Sequence, residues 1–305
     1  MTESVPSTGI DPLSVRLHEL AGHFAAPTAG RLTEEQRALS LAIARRLVAD
    51  VAARIDPAMD TGDLWSAWLN AGIPGGVALA KACFARAEEH RWREQSAQRV
   101  APPPILADGD EAPGESAATL SISATDRAQL ALRIADRRRF DAAGHPALAV
   151  ADVDHDLYRD LLRDIAAWRL DTIGGDPVRA AALGDRVRAA TDDHKGESGM
   201  ADAGAAYAKI LGKDMPRAAA EAIARHDWPT LIALAAAAWG RAYADMALAL
   251  LSAQTAALPS LLAPLRIDRA ALAPLEASLA MLPARAVAAD GAEVGGEPPS
   301  RDGQW

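Results

Sequence analysis

The residues best equipped for chemistry in this sequence are His145, Asp152, Asp154, His155 and Asp156. Imidazole and carboxylate together suit zinc or a harder divalent metal, which makes His145, Asp152, Asp154 and His155 the candidate metal ligands. The same acids suit a loop that runs into a helix, where carboxylates cap amides and meet the positive end of the dipole. No HExxH, CxxC or EF-hand spacing accompanies them. Capping is therefore the expected role. No metal, cofactor or catalytic residue is assigned, and 145–156 is kept as the place where a ligand sensor or enzyme site would lie.

Other polar groupings are weaker. Gly72-x-x-Gly75-Gly76 precedes a helix and could seat an anion on free amides. It lacks a preceding strand and the Lys-Ser/Thr of a phosphate loop, so a turn is expected. His226-Asp227-Trp228 reads as a helix end followed by an N-cap, and His194 as a solvated loop residue. Cys83 is the only cysteine and sits among Ala82, Phe84 and Ala85, as a small core hydrophobe would. Trp92 lies among charges in EHRWRE, and Trp and Arg are enriched where proteins bind each other. Trp92 and Arg93 are thus partner-contact candidates. So are Arg241 and Asp245, which share a face at i,i+4 in an otherwise apolar stretch.

The elements that must position these residues read as helices. Half the residues are apolar, mostly Ala and Leu, and only 4% are aromatic. β-branched residues are thin and no run alternates strictly, so the fold class is all-α. The clearest helix follows Thr33-x-x-Gln36, a capping box, and carries Leu39, Ile43, Leu47, Val51 and Ile55 on one stripe. Asp63, Thr125, Asp154 and Asp227 are expected N-caps, and Asp176-Pro177 begins another helix. The charged run RAEEHRWREQ is expected to face solvent. Asp227–Leu251 reads as one long helix at the centre of the C-terminal part. Arg241 and Asp245 fall mid-segment, and Ala makes it weakly apolar, which argues against a membrane span.

Composition divides the chain. Residues 101–123 carry four acids, no base and three consecutive prolines, the pattern of a linker. The expected organisation is a disordered lead-in at 1–11, a helical domain at 12–99, a linker at 100–123, a second helical domain at 124–283 and a disordered tail at 284–305. The net charge of −9 is concentrated in the linker and tail. The folded parts lack a basic face, so nucleic acid is not an expected partner. Arg137–Arg139 reads as a solvated helix end. MTESVPSTGIDP has neither a basic n-region nor an apolar h-region, which points to the cytoplasm.

A small phrase recurs as Ile43-Ala44-Arg45-Arg46, Ile134-Ala135-Asp136-Arg137, Ile165-Ala166-Ala167-Trp168 and Ile223-Ala224-Arg225. The spacings fall near multiples of about 30 residues, the length of one helix pair in many α-solenoids. Leu32–Ile55, LTEEQRALSLAIARRLVADVAARI, resembles the opening helix of domain-of-unknown-function family 2336 (DUF2336), bacterial HEAT-like helical proteins. After that helix the chain departs from the family pattern, because Asp56-Pro57 and a segment with Trp65 and Trp68 intervene. The resemblance implies helical hairpins with a binding surface and carries over no catalytic residue. The expected architecture is a HEAT-like α-solenoid or irregular helical bundle in two parts. The expected role is a non-enzymatic interaction or scaffold module whose partner is another protein, a second copy of the chain included.

Overall fold

The computed structural model describes residues 12–25, 32–98, 122–174 and 176–285. The expected lead-in, nearly all of the expected linker and most of the expected tail lie outside them. Among the described residues the regular elements are helical, apart from one isolated antiparallel bridge between Phe140 and Pro146. The all-α expectation holds. The helices are α1 (Pro12–Ala25), α2 (Glu34–Ile55), α3 (Thr61–Ala71), α4 (Gly76–Ala97), α5 (Ala124–Arg137), α6 (His155–Thr172) and α7 (Pro177–His194). Then come α8 (Met200–Leu211), α9 (Met215–Ala224), α10 (Trp228–Trp239), α11 (Tyr243–Ser252), α12 (Leu258–Leu261) and α13 (Ala273–Ala280), with short 3-10 turns between some of them.

Local chemistry explains most of the boundaries. Thr33 and Gln36 form the capping box: the Gln36 amide donates to Thr33 Oγ1 at 3.2 Å and the Thr33 amide to Gln36 Oε1 at 3.0 Å. Ile43, Leu47, Val51 and Ile55 are fully buried along one side of α2. Asp154, Asp176 and Asp227 cap α6, α7 and α10 as expected. Two caps fall elsewhere than expected. Asp60 rather than Asp63 caps α3, and Ser123 rather than Thr125 caps α5.

The long helix expected over Asp227–Leu251 is two helices. Gly240 takes a left-handed conformation, φ 61°, that a residue with a Cβ adopts only under strain. Its amide bonds to Ala237 O, and the Arg241 amide reaches back to Ala236 O at 3.0 Å, the Schellman arrangement that closes a helix. α10 and α11 are bent by 109° at this break, and no single described helix is long and apolar enough to cross a membrane. The first half is as buried as its composition demands: every residue from Trp228 to Ala236 is covered.

Two apolar cores result. One gathers α1, α2, α3, the first half of α4, α6 and parts of α7. The other is built around α10 and takes Trp92 of α4, the inner face of α5, α8, α9, α11 and the C-terminal turns. The expected division into 12–99 and 124–283 does not coincide with these cores, since α6 and α7 pack on α2 while Trp92 belongs to the second core. α4 contributes to both. Its charged second half, expected to face solvent, is instead buried at Arg86, Glu88, Glu89, Arg91 and Trp92.

α8 and α10 touch at Gly204. A Cβ built there would lie 2.8 Å from Ala233 Cβ and 3.2 Å from Ala233 O, closer than real Cβ atoms approach. Gly204→Ala should therefore push α8 from α10, costing about 1–3 kcal/mol as overpacking does. A thermal melt should show Tm lowered by about 3–10 °C for a chain of this size; an unchanged Tm would mean the contact is looser than this.

Candidate functional site

The most connected polar group in the described chain begins on α4. Arg86, Glu89 and Arg93 follow at i, i+3 and i+7, so they share one helix face. That face meets the turn after α5, where Arg139 points inward and is 2% exposed. Arg139 grips the fully buried Glu89 with two bonds: Nη1 to Oε1 at 2.9 Å and Nη2 to Oε2 at 2.6 Å. Tyr243, at the start of α11, donates its hydroxyl to Glu89 Oε1 and accepts from Arg139 Nη1, each at 3.1 Å. Arg93 makes a second forked pair with Asp136, at 2.6 and 2.9 Å.

Among the described residues no carboxylate is bonded directly to Arg86. Its Nε donates to Ala147 O at 3.0 Å and its Nη2 to Arg139 O at 2.8 Å, with the guanidinium 4.8 Å from the Phe140 ring centre. These bonds hold the 139–147 turn against α4, and Arg46, on Asp141 and Pro146 O, ties the same turn to α2. Asp152 completes the group. Its Oδ1 accepts the Met200 amide at 2.6 Å, capping α8 from a distant part of the chain, and its Oδ2 lies 3.5 Å from Arg139 Nε. The space is tight, for a Cβ at Gly199 would run into the Asp152 carboxylate and the Ala151 carbonyl.

Burial and charge compete here, and the winner differs by residue. Burial would raise the Glu89 pKa, but the charges of Arg139 and Arg86, the Arg139 hydrogen bond and the charge of Arg93 outweigh it and bring it to about 2. Burial pushes Asp152 up, against Arg139 and the Met200 amide. Burial brings Arg86 down to about 10, with Arg139 adding repulsion. For Arg139 the loss of water is outweighed, mainly by Glu89, and its pKa is raised further. Burial and the Glu89 charge hold the Tyr243 hydroxyl protonated.

A cleft of about 420 Å³ lies over this group, between α4, the 148–157 stretch and α11. Arg86, Glu89, Arg139 and Tyr243 form its buried floor, with the half-buried Asp152 beside them. Ala78, Ala82 and Ala85 of α4 face Ala244 and Ala247 of α11 across it, with Leu148, Val153 and Leu157 beside them. At its edge Lys81 Nζ pairs with Asp245 Oδ1 at 2.6 Å, both nearly half exposed.

The structure separates the candidate residues read from the sequence. Asp152 and Asp154 both line the cleft, Asp154 as the cap of α6. His145 sits on an exposed turn, its Nδ1 3.2 Å from Asp141 Oδ2. His155 turns to His194, with the two Nδ1 atoms 3.4 Å apart. Among the described residues no group of three or more His, Cys, Asp or Glu is placed to hold a metal ion. His194 is buried rather than solvated: it stacks on Tyr158 at 4.1 Å, and its Nε2 is 3.1 Å from Val150 O. Cys83 is buried, and that burial raises its thiol pKa.

The partner-contact candidates need correction. Trp92 is fully buried, stacked on Trp228 at 4.4 Å and bonded to Ser278 Oγ at 2.8 Å, so it anchors the second core rather than a partner. Arg93 is engaged with Asp136. Arg241 and Asp245 do not share a helix face, because the chain turns at Gly240; Arg241 lies over the Trp239 ring and Asp245 pairs with Lys81. Of the Arg137–Arg139 run only Arg137 and Arg138 are exposed. Sequence reasoning missed Arg86, Glu89, Arg139 and Tyr243. The available signal was the bulky aromatic Trp92 inside the charged run, which marks a helix covered on more than one side.

No protein-family model, curated protein or solved structure matches this chain.

Glu89 makes the stability of the protein acid-sensitive. Its folded pKa lies below the unfolded value of about 4.3, so its contribution is complete above that pH and is lost as pH falls toward about 2. Glu89→Gln should cost about 3–5 kcal/mol at neutral pH, because Arg139 is left buried without its partner. The gap between urea melts of the two proteins should narrow as pH falls from about 4 and close only toward about pH 2; a constant gap would refute the pairing.

Proposed function

We propose that this protein binds a small ligand in the cleft between α4, 148–157 and α11, and that it does so without turning the ligand over. The observation that carries this reading is the cleft itself: a mostly apolar enclosure of about 420 Å³ above a convergent set of charged groups with displaced pKa values. Ligand sites are commonly of this size and composition. A role without turnover is supported by the state of the floor. Glu89, Arg139 and Tyr243 are bonded to one another, so they fix shape rather than exchange protons with a guest. The fitting ligand is compact and largely apolar, with a polar end toward Lys81, Asp154 and Asp245. Kinship with the DUF2336 family is proposed on Leu32–Ile55 alone and assigns no ligand.

The earlier expectation of an interaction module stands as a second reading. It is supported by a separate feature, the outward side of α5, where Leu130 and Ile134 are 49% and 46% exposed.

Anilinonaphthalene sulfonate, an aromatic dye with one sulfonate that brightens when its rings leave water, is a suitable probe of the cleft. It should bind the native protein saturably, with a Kd of about 10–100 µM. Ala82→Trp, at a half-buried position on the cleft wall, should fill the space and weaken that binding at least about tenfold, with Tm nearly unchanged. Equal dye binding by the Trp variant would place the bound dye elsewhere and remove the support for this site.

A further inference from the structure

α5 uses one side for the core and leaves an unusual opposite side. Ala128, Leu132 and Ala135 are buried against α8. At 100° per residue, Leu130 and Ile134 lie about 165° and about 130° round the helix from the middle of that buried face and stand one above the other at i,i+4. Ile122, just before the helix, is 57% exposed. Arg133 and Arg137 border this strip on one side, and Arg127 and Arg138 on the other. All four arginines are exposed. Among the described residues, none of the four joins an ion pair, in contrast to Arg93 and Arg139 on the inner side. The two acids of the helix are engaged: Asp126 with the Ser123 cap and Asp136 with Arg93. α5 thus presents an apolar strip flanked by positive charge on a chain whose net charge is −9.

We infer that the outer side of α5 is a docking surface for an acidic amphipathic helix of a partner protein, one that lays apolar residues on Leu130 and Ile134 and carboxylates against Arg127, Arg133, Arg137 and Arg138. Helices bind along such strips through anchors at i and i+4, and opposite flanking charges set partner choice. A second copy of this chain does not fit, since a symmetric contact would set the same arginines against each other. A lipid surface fits less well. Helices that lie on membranes insert a whole apolar face, and here the larger apolar face is already committed to α8. This surface is separate from the cleft and does not rest on the ligand-binding reading.

The test uses the full chain and three probes: a labelled helical peptide with Leu at i,i+4 flanked by Glu, the same peptide with Lys for Glu, and phosphatidylcholine vesicles containing phosphatidylserine. Fluorescence anisotropy should show binding of the Glu peptide that weakens about tenfold between about 0.05 and 0.3 M salt. Arg133→Gln with Arg137→Gln, and separately Leu130→Ser with Ile134→Ser, should each weaken it at least about tenfold while circular dichroism melts stay unchanged. The inference is overturned if the Glu peptide does not bind, if the Lys peptide binds as well, or if the arginine variants bind like the parent. Preference for the vesicles would reassign the surface to lipid. A gain in peptide affinity on neutralising Asp108, Asp110, Glu111 and Glu115 together would show the chain's own acids competing for the arginines, and would replace the external partner with that segment.

Discussion

A carboxylate taken wholly out of water must find its compensation inside the protein, and in this chain Glu89 finds it in Arg139. Removing one ion from solvent costs several kcal/mol even after relaxation, so a single hydrogen bond would not hold Glu89 ionised. Arg139 instead supplies two charge-assisted bonds in the planar fork that suits a carboxylate, Tyr243 adds a third, and the charges of Arg86 and Arg93 lie close by. These partners outweigh the loss of water and bring the carboxyl down to about 2. The geometric consequence is larger than the energetic one. Glu89 is on α4, Arg139 follows α5 and Tyr243 opens α11, so satisfying one carboxylate fixes three elements that are far apart in sequence.

The cleft follows from that fixation. Ala78, Ala82 and Ala85 recur at i, i+4 and i+7 on α4, and Ala244 and Ala247 stand at i and i+3 on α11. Facing stripes of small residues ordinarily let helices close on each other. Here the ionic group sits beneath them and sets how near α4 and α11 come, so the missing side-chain volume remains as space. Leu157 and the Asp154 cap of α6 close one side, and the Lys81–Asp245 pair bridges the other. Dispersion favours filling such a gap. The gap held open by the buried charge is the space that the proposed ligand would fill.

Local grammar was readable from the sequence, and long-range coverage was not. The Thr33–Gln36 box, the Asp154 and Asp227 caps and the α2 stripe depend on residues a few positions apart, and each appears where its chemistry places it. The second half of α4 could not be read in that way. Arg86, Glu89 and Arg93 look solvated on a helical wheel, because a wheel shows the helix and not its neighbours. Their partners Arg139, Asp136 and Tyr243 are more than 40 residues away. The break after Trp239 was overlooked for the opposite reason. A continuous apolar composition outweighed the one glycine whose left-handed backbone ends the helix. Asp152 and Asp154 were legible as a place to look, but His145 and His155 were not separable from them without the fold.

The turn from Arg137 to Arg139 joins the interior to the outer side of α5. Three adjacent arginines cannot all face one way, and the chain sends Arg139 inward while Arg137 and Arg138 stay in water. Asp136, one residue earlier, ties the same helix end to Arg93 of α4. The orientation of α5 about its axis is thus set by ion pairs at its C-terminal end and by Ala128 and Leu132 against α8. Rotating the helix to hide Leu130 and Ile134 would pull Asp136 from Arg93 and expose Leu132. The exposed apolar strip is held in place by the Arg93–Asp136 pair and the packing of Leu132, next to the Glu89–Arg139 pair under the cleft, so its exposure is enforced by the fold rather than left over from it.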